Sequence, residues 1–262
     1  LAAGVYSFSG ISHQYLDDGS SPGNLTAFDV HTITVTVDDD DLGSDDDSID
    51  VTVTNVAPEM APLSLSSTSI DEGGSTTLTI NWSDPGTQDT YTVTINWGDD
   101  SDPTIATVTP SIDVISVGAG IYTLVVSHTY ADDGPSPGNG TPSDVSTISV
   151  TVDDDDLGSD SASIDVTVNN VVPTLSAIVG TPLTDDPDEC NTTWVVTGQF
   201  SDPGTDSYQF EINWGDGNID TFNVPGTGFP GDYGFVANNV IGSTSHTYTA
   251  FGIYTITVSV SE

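Results

Sequence analysis

The chain has 262 residues, no lysine, no arginine and 40 acidic residues, a formal net charge of −40. With no basic side chain to neutralise phosphate, the composition excludes nucleic acid and anionic membrane surfaces as partners. Thirty-five of the acidic residues are Asp and five are Glu; tight turns and calcium loops favour the shorter side chain, whereas a purely salt-adapted surface would use both freely. Spread over the roughly 11,000 Å² expected of a compact chain of this mass, the charges would lie about 16 Å apart, near two Debye lengths. The electrostatic difficulty is therefore local, where Asp residues cluster in loops. Cys190 is the single cysteine, so no disulfide framework forms within the chain. No apolar run is long enough to span a membrane.

In chain order, residues 1–56 contain an alternating β-branched run from His31 to Val37, the acidic stretch Asp38-Asp39-Asp40-Asp41-Leu42-Gly43-Ser44-Asp45, and a second run from Ser48 to Val53. Two alternating runs around a short Asp/Gly/Ser segment predict a β-hairpin. Asn55-Val56-Ala57-Pro58 then breaks the pattern. Residues 57–172 contain about seven predicted strands, near Leu63–Ser66, Ser75–Trp82, Thr90–Trp97, Thr104–Thr109, Ile121–Ser127, Val145–Val152 and Ser163–Val168, with Asp113–Val117 as a further candidate. The acidic hairpin loop returns here as Asp153–Asp160, followed by Asn170-Val171-Val172-Pro173.

The repetition extends through the chain. Ser12-His13-Gln14-Tyr15 returns as Ser127-His128-Thr129-Tyr130 and Ser245-His246-Thr247-Tyr248. Ser83-Asp84-Pro85-Gly86 returns as Ser201-Asp202-Pro203-Gly204, and Ile95-Asn96-Trp97-Gly98-Asp99 as Ile212-Asn213-Trp214-Gly215-Asp216. A spacing of 115 to 118 residues fits an array of whole domains: residues 1–56 as the C-terminal half of one repeat, 57–172 as a complete repeat, and 173–262 as a repeat lacking its last strand, the whole an excerpt of a longer polypeptide. Short alternating strands with no helical periodicity predict an all-β fold of tandem antiparallel sandwiches, with Trp82, Trp97, Ile80, Ile95, Val93, Leu124 and Ile148 in the core.

The Asn-Trp-Gly-Asp-Gly at 213–217, the Ser-His-Thr-Tyr at 245–248 and the Gly-Ile-Tyr-Thr-Ile-Thr-Val at 252–258 resemble the turn and the His-x-Tyr run of polycystic kidney disease (PKD) type repeats. The resemblance covers all three units. It departs from the family pattern where Trp directly precedes Gly, with no intervening Phe, and where Asp17–Phe28 and Asp132–Asp144 lengthen the following segment. It implies tandem Ig-like sandwiches from a large bacterial or archaeal surface protein, used as spacers or adhesive modules, and it does not imply catalysis.

In Ig-like topology the Asp84 turn and the Asp153–Asp160 loop fall at the end facing the preceding repeat, while the Asp99 turn and the Asp132-Asp133 corner face the following one. The first junction should then gather Asp17, Asp18, Asn55, Glu59, Asp84 and the loop Asp153, Asp154, Asp155 and Asp156. The second should gather Asp99, Asp100, Asp102, Asp132, Asp133 and Asn169, with Asn170 and Asp202. Calcium takes six to eight oxygen ligands, and such loops supply them; Asp38, Asp39, Asp40 and Asp41 are metal candidates by the same repeat logic. Neither acidic loop is an EF-hand, because Leu42 or Leu157 stands where Asp or Asn would be needed. Solvated turns are the competing reading, and they suffice for lone residues such as Asp113 and Asp220. The recurring His-x-Tyr fits a tyrosine corner. Ser, His and Asp triples are unavoidable at this composition, and an enzyme is not expected.

The expected function is that of an extracellular structural or adhesive module, a stalk or filament segment stiffened by calcium at domain junctions. Its expected partners are neighbouring repeats, copies of itself in a fibre, and cell-surface or matrix polysaccharide. The alternative is a carbohydrate-binding accessory region of a secreted hydrolase, which should display exposed aromatics on a sheet face. Sequons fall at Asn24, Asn81, Asn139 and Asn191.

Overall fold

The computed structural model describes residue 4 and residues 6–19, 23–108, 120–134, 139–183, 191–224 and 245–262. The first unit contributes β1 (Phe28–Asp38) and β2 (Ser44–Thr54), an antiparallel hairpin paired from Phe28↔Thr54 to Asp38↔Ser44. The second contains β3 (Glu59–Met60), β4 (Ser64–Leu65), β5 (Ser69–Asp71), β6 (Ser75–Ser83), β7 (Tyr91–Asn96), β8 (Thr104–Val108), β9 (Ile121–Thr129), β10 (Ser143–Asp154) and β11 (Ser159–Asn169). The third contains β12 (Thr174–Pro182), β13 (Thr192–Ser201), β14 (Tyr208–Asn213), β15 (Ile219–Val224), β16 (Ser245–Tyr248) and β17 (Thr257–Ser261). No helix occurs among the described residues. The expected strand at Asp113–Val117 lies outside them.

The second unit is a sandwich. One sheet runs β5-β11-β10-β7-β8; in the other β6 pairs with β3, β4 and β9. All pairings are antiparallel except β5 with β11, an arrangement consistent with Ig-like folds. Period-two alternation dictates what each strand buries. β6 turns Thr76, Leu78, Ile80 and Trp82 inward, β7 turns Tyr91, Val93 and Ile95, and β10 turns Ile148, Val150 and Val152. Trp82 stacks on Tyr122 and meets Tyr91 edge-on at 5.5 Å. The expected core residues Trp82, Trp97, Ile80, Ile95, Val93 and Ile148 are all buried, and Leu124 packs against them half-buried.

The third unit repeats the scheme around its own core of Val196, Phe200, Phe210, Ile212, Trp214 and Tyr248. Its sheets are β12-β13-β16 and β15-β14-β17. Val258 of β17 lies opposite Ile212 of β14, as Val150 of β10 lies opposite Ile95 of β7. Counting four residues on from each, Glu262 stands where Asp154 stands in the second unit.

Each Trp-Gly-Asp turn is tied to the His-x-Tyr strand beside it. Gly98 and Gly215 take φ of 77° and 81°, and a Cβ there would meet the backbone of Thr147 or Thr255 at 2.6 Å. The Tyr130 hydroxyl donates to the Trp97 carbonyl at 2.9 Å, and Tyr248 to that of Trp214 at 2.7 Å. The bond to backbone expected of a tyrosine corner is thus made, but to a turn some thirty residues upstream rather than to the local chain.

Candidate metal centres

Both expected ends of the second sandwich carry buried carboxylates, and each end meets the neighbouring repeat. At the first junction Asp84 follows β6, Asp89 precedes β7, Asp154 ends β10, and Asp155 and Asp156 form the loop into β11. Three carboxylate groups have one oxygen from each member within 4.8 Å of the others: Asp84, Asp89 and Asp154; Asp89, Asp155 and Asp156; and Asp17, Asp18 and Asp156. At the second junction there are two, Asp202, Asp206 and Glu262, and Glu72, Asp132 and Asp206. Both centres mix donors from two repeats.

The local bonding holds many of these carboxylates by one oxygen and leaves the other directed inward. Asp84 Oδ1 accepts the Gly86 amide at 2.8 Å, and Asp202 Oδ1 accepts the Gly204 amide at 2.8 Å. Asp156 Oδ1 accepts the amides of Asn24 and Leu25, across the junction, at 2.9 and 3.1 Å. Glu72 Oε1 accepts the Val171 amide at 2.8 Å. In each of these four residues the second carboxylate oxygen is buried and has no hydrogen-bond partner, as is one oxygen of Asp18, Asp89 and Asp206. Exposure of these side chains is 0% for Asp156, 1% for Asp84 and Asp89, 2% for Glu72 and Asp202, 3% for Asp18 and 5% for Asp206. Buried polar atoms are almost always paired, and several uncompensated carboxylates facing one another are costly. Gly86 and Gly204 make room for the clusters: a Cβ at 204 would lie 2.4 Å from Glu72 Oε2 and 2.5 Å from Asp206 Oδ2.

The protonation equilibria register the same strain. Burial, then the charges of Asp84 and Asp17, push Asp89 up to about 8. Burial raises Glu72 to about 8 against the Val171 amide, with Asp206 and Asp202 adding to the rise. Desolvation first, and neighbouring carboxylates after it, bring Asp18, Asp84, Asp202 and Asp206 to about 6. Nothing cationic is available to relieve them, since the sequence holds no Lys or Arg.

A hard divalent cation fits this donor set. The ligands are carboxylate oxygens, with Asn side chains and loop carbonyls nearby, and no sulfur or ring nitrogen enters any of the five groups. Calcium is matched by such irregular, oxygen-only, multiply charged sites; magnesium demands stricter octahedral geometry. Polar links across the junctions complete the frame. Asn55 Nδ2 donates to Asp154 Oδ2 and to the Asp156 carbonyl at the first, and Asn170 Nδ2 to Glu262 Oε1 and the Thr205 hydroxyl to Asp132 at the second.

Of the expected ligands, the structure brings Asp17, Asp18, Asp84, Asp154, Asp155 and Asp156 together at the first junction, with Asn55 beside them. It brings Asp132 and Asp202 together at the second, and Asp133 is buried there with one oxygen unpartnered. Asp153 ends the ladder opposite Thr92 and Ser159, outside the clusters. Asp38, Asp39, Asp40 and Asp41 are exposed and belong to no described cluster, and Glu59, Asp100 and Asp102 are also exposed. Asp99 has a different partner: its Oδ2 meets His128 Nε2 at 2.6 Å, with that ring stacked on Trp97 at 4.4 Å. Asp216 and His246 repeat the pair on Trp214 at 2.7 Å. Burial would raise Asp99, but the His128 ring and the Ser101 hydroxyl hold it below the usual carboxylate range. Asn169 turns back within its own repeat, onto the Ile70 carbonyl.

Four cluster members escape the sequence reading: Asp89, Asp206, Glu72 and Glu262. A signal exists for two of them, because Asp89 and Asp206 each stand two residues before the first buried tyrosine of β7 or β14. Compared with known proteins, the chain matches no protein-family model and no curated protein sequence.

Proposed function

We propose that this chain is a run of β-sandwich modules from an extracellular structural or adhesive protein, in which calcium at each domain junction joins and stiffens successive repeats. The observation that carries this reading is the set of buried, unpartnered carboxylate oxygens at both junctions, contributed by the repeats on either side. A cation that binds only when two repeats are docked makes docking and binding one equilibrium, so metal concentration sets how rigid the array is. Millimolar extracellular calcium would keep such junctions loaded.

The test is calcium titration against chelator at constant ionic strength, read by thermal melting and by the angle between repeats in solution scattering. Ion binding should add about 2.7 kcal/mol to junction stability per site at a hundredfold excess over the dissociation constant. Asp154→Asn with Asp156→Asn should reproduce the chelator effect, while Asp39→Asn with Asp41→Asn should leave it unchanged. Melting and inter-repeat angle both indifferent to EDTA would sink the reading and leave the acidic loops as turns.

The carbohydrate reading has one feature in its favour. In the third unit Trp194, Tyr248, Phe251 and Tyr254 line a cleft of about 230 Å³. The second unit has Thr76 in place of Trp194, and Trp82, Trp97 and Trp214 are all core residues, so among the described residues these tryptophans form no exposed line along the array. Quenching of Trp194 fluorescence by oligosaccharide, absent in Trp194→Ala, would revive it.

A further inference from the structure

The carboxylate groups at each junction are not independent, because they share members. At the first junction Asp89 belongs both to the group with Asp84 and Asp154 and to the group with Asp155 and Asp156, and Asp156 in turn links the latter to Asp17 and Asp18. At the second, Asp206, its repeat equivalent, belongs both to the group with Asp202 and Glu262 and to the group with Glu72 and Asp132. The Asp202, Asp206 and Glu262 group is also the positional copy of Asp84, Asp89 and Asp154, so the same site has been built twice from different residues. Members of each group span no more than 4.8 Å, the separation of two ligands on opposite sides of one calcium ion at about 2.4 Å each.

We propose that each junction holds at least two adjacent divalent cations bridged by a single carboxylate, Asp89 at the first and Asp206 at the second. This rests on the reading of the junctions as cation sites and adds their number, their adjacency and the residue that couples them.

Charge and geometry both argue for more than one ion. The second junction gathers six carboxylates, from Glu72, Asp132, Asp133, Asp202, Asp206 and Glu262, and the first gathers seven. One dication would leave most of that charge uncompensated in a buried setting. A single ion in the Asp202 group would also leave the buried oxygens of Glu72 and Asp132 without a partner. A carboxylate can give one oxygen to each of two metals held about 4 Å apart, as in two-metal sites generally. Asp89 and Asp206 are placed to do this because each stands at the end of the loop that joins β6 to β7 or β13 to β14, within reach of the other members of both its groups. The first ion orients the bridging carboxylate for the second, and the two bind cooperatively. Junction stiffness then switches over a narrow range of calcium concentration.

The experiment uses the full 262-residue chain with calcium as the probe, read by native mass spectrometry and calorimetry. The expected result is four or more ions per chain, with binding steeper than independent sites. Asp206→Asn should remove two ions, whereas Asp202→Asn should remove one. As a measurement needing no variant, terbium and europium loaded together should show strong energy transfer from terbium, because neighbouring ions would lie within bonding distance of one carboxylate. Two ions per chain with no lanthanide energy transfer, or equal losses in Asp206→Asn and Asp202→Asn, would overturn the bridged pair while leaving the junctions as cation sites. No calcium binding at all would overturn the underlying reading as well.

Discussion

The hairpins β1–β2 and β10–β11 are the same device in two settings. Both pair eleven residues in the same register, and both close with Asp-Asp-Asp-Asp-Leu-Gly-Ser. In both loops one Asp carboxylate caps the turn: Asp39 Oδ1 accepts the amides of Asp41 and Gly43, and Asp154 Oδ1 those of Asp156 and Gly158. Beyond the hairpin itself they differ. β10 and β11 are flanked by β7 and β5 and face β6, so Ile148, Val150 and Val152 are at most 1% exposed. β1 and β2 pair only with each other among the described residues, and Ile33, Val35 and Val37 are 39%, 38% and 63% exposed. The loops diverge in parallel. Asp154, Asp155 and Asp156 are met by Asp84, Asp89, Asp17 and Asp18, whereas Asp38–Asp41 are met by nothing described. Local sequence therefore dictates the hairpin and its turn, and tertiary surroundings decide whether the same four carboxylates become a cluster.

The largest expected difference between the copies lies in the strands. Ile148→Ala removes a fully buried side chain from a closed core and should cost about 2–5 kcal/mol. Ile33→Ala, its positional equivalent, should cost under about 1 kcal/mol in this chain, because the site is already open to solvent. Denaturant unfolding of the two variants, followed by Trp82 and Trp97 fluorescence, checks the contrast. Equal losses would mean that the first hairpin packs against a partner in solution.

A smaller effect separates the loops by pH. Without cation, Asp89 and Glu72 titrate near 8 and Asp84, Asp202 and Asp206 near 6, all above their unfolded values. A group whose folded pKa is raised contributes stability that is complete below its unfolded pKa, near 4, and is lost as pH rises through the folded value. The chelated protein should therefore melt progressively lower between about pH 5 and pH 9, while the calcium-loaded protein should vary little over that window. The chelator effect grows with pH. The Asp39→Asn, Asp41→Asn variant should trace the wild-type curves, since its loop is solvated; a chelator effect that shrinks as pH rises would contradict the linkage.

How much of this could be read from the sequence follows from the same contrast. Strand positions in β6, β7, β10 and β11 are legible because alternation is a local consequence of which face is buried. The ends carrying Asp84 and Asp154 are legible because strand direction alone places them. The partner choices are not. Asp99 and Asp84 both lie in Gly-containing turns and both recur, yet one meets His128 and the other meets carboxylates, and only the fold distinguishes them. Asp89 and Asp206 look like lone turn residues until repeat alignment sets them beside Tyr91 and Tyr208. Glu262 is concealed because it stands in for Asp154 with a longer side chain. Glu72 has no described copy, and nothing in its neighbourhood announces that Val171 and Asp206 will meet it.

The smallest expected effect is one that should not differ between the copies. Leu42 and Leu157 occupy the left-handed region, with φ of 68° and 74°. A Cβ there clashes with the following carbonyl, which costs about 1–2 kcal/mol for an L-residue. Neither side chain recovers this by burial, since Leu42 is 98% and Leu157 68% exposed. The loop backbone imposes the conformation: Asp39 N donates to the Gly43 carbonyl at 2.8 Å and Asp154 N to that of Gly158 at 2.9 Å, and the intervening residues must reverse the chain. Leu42→Gly and Leu157→Gly should each relieve the clash, less the greater freedom of glycine when unfolded, for a net gain below about 1 kcal/mol. Amide hydrogen exchange at Asp39 and Asp154 reads each loop separately. Matching increases in protection would show that the turn is a property of the hairpin alone. A gain at Asp39 but not at Asp154 would mean that the carboxylates packed around the second loop, rather than its own backbone, hold Leu157 in place.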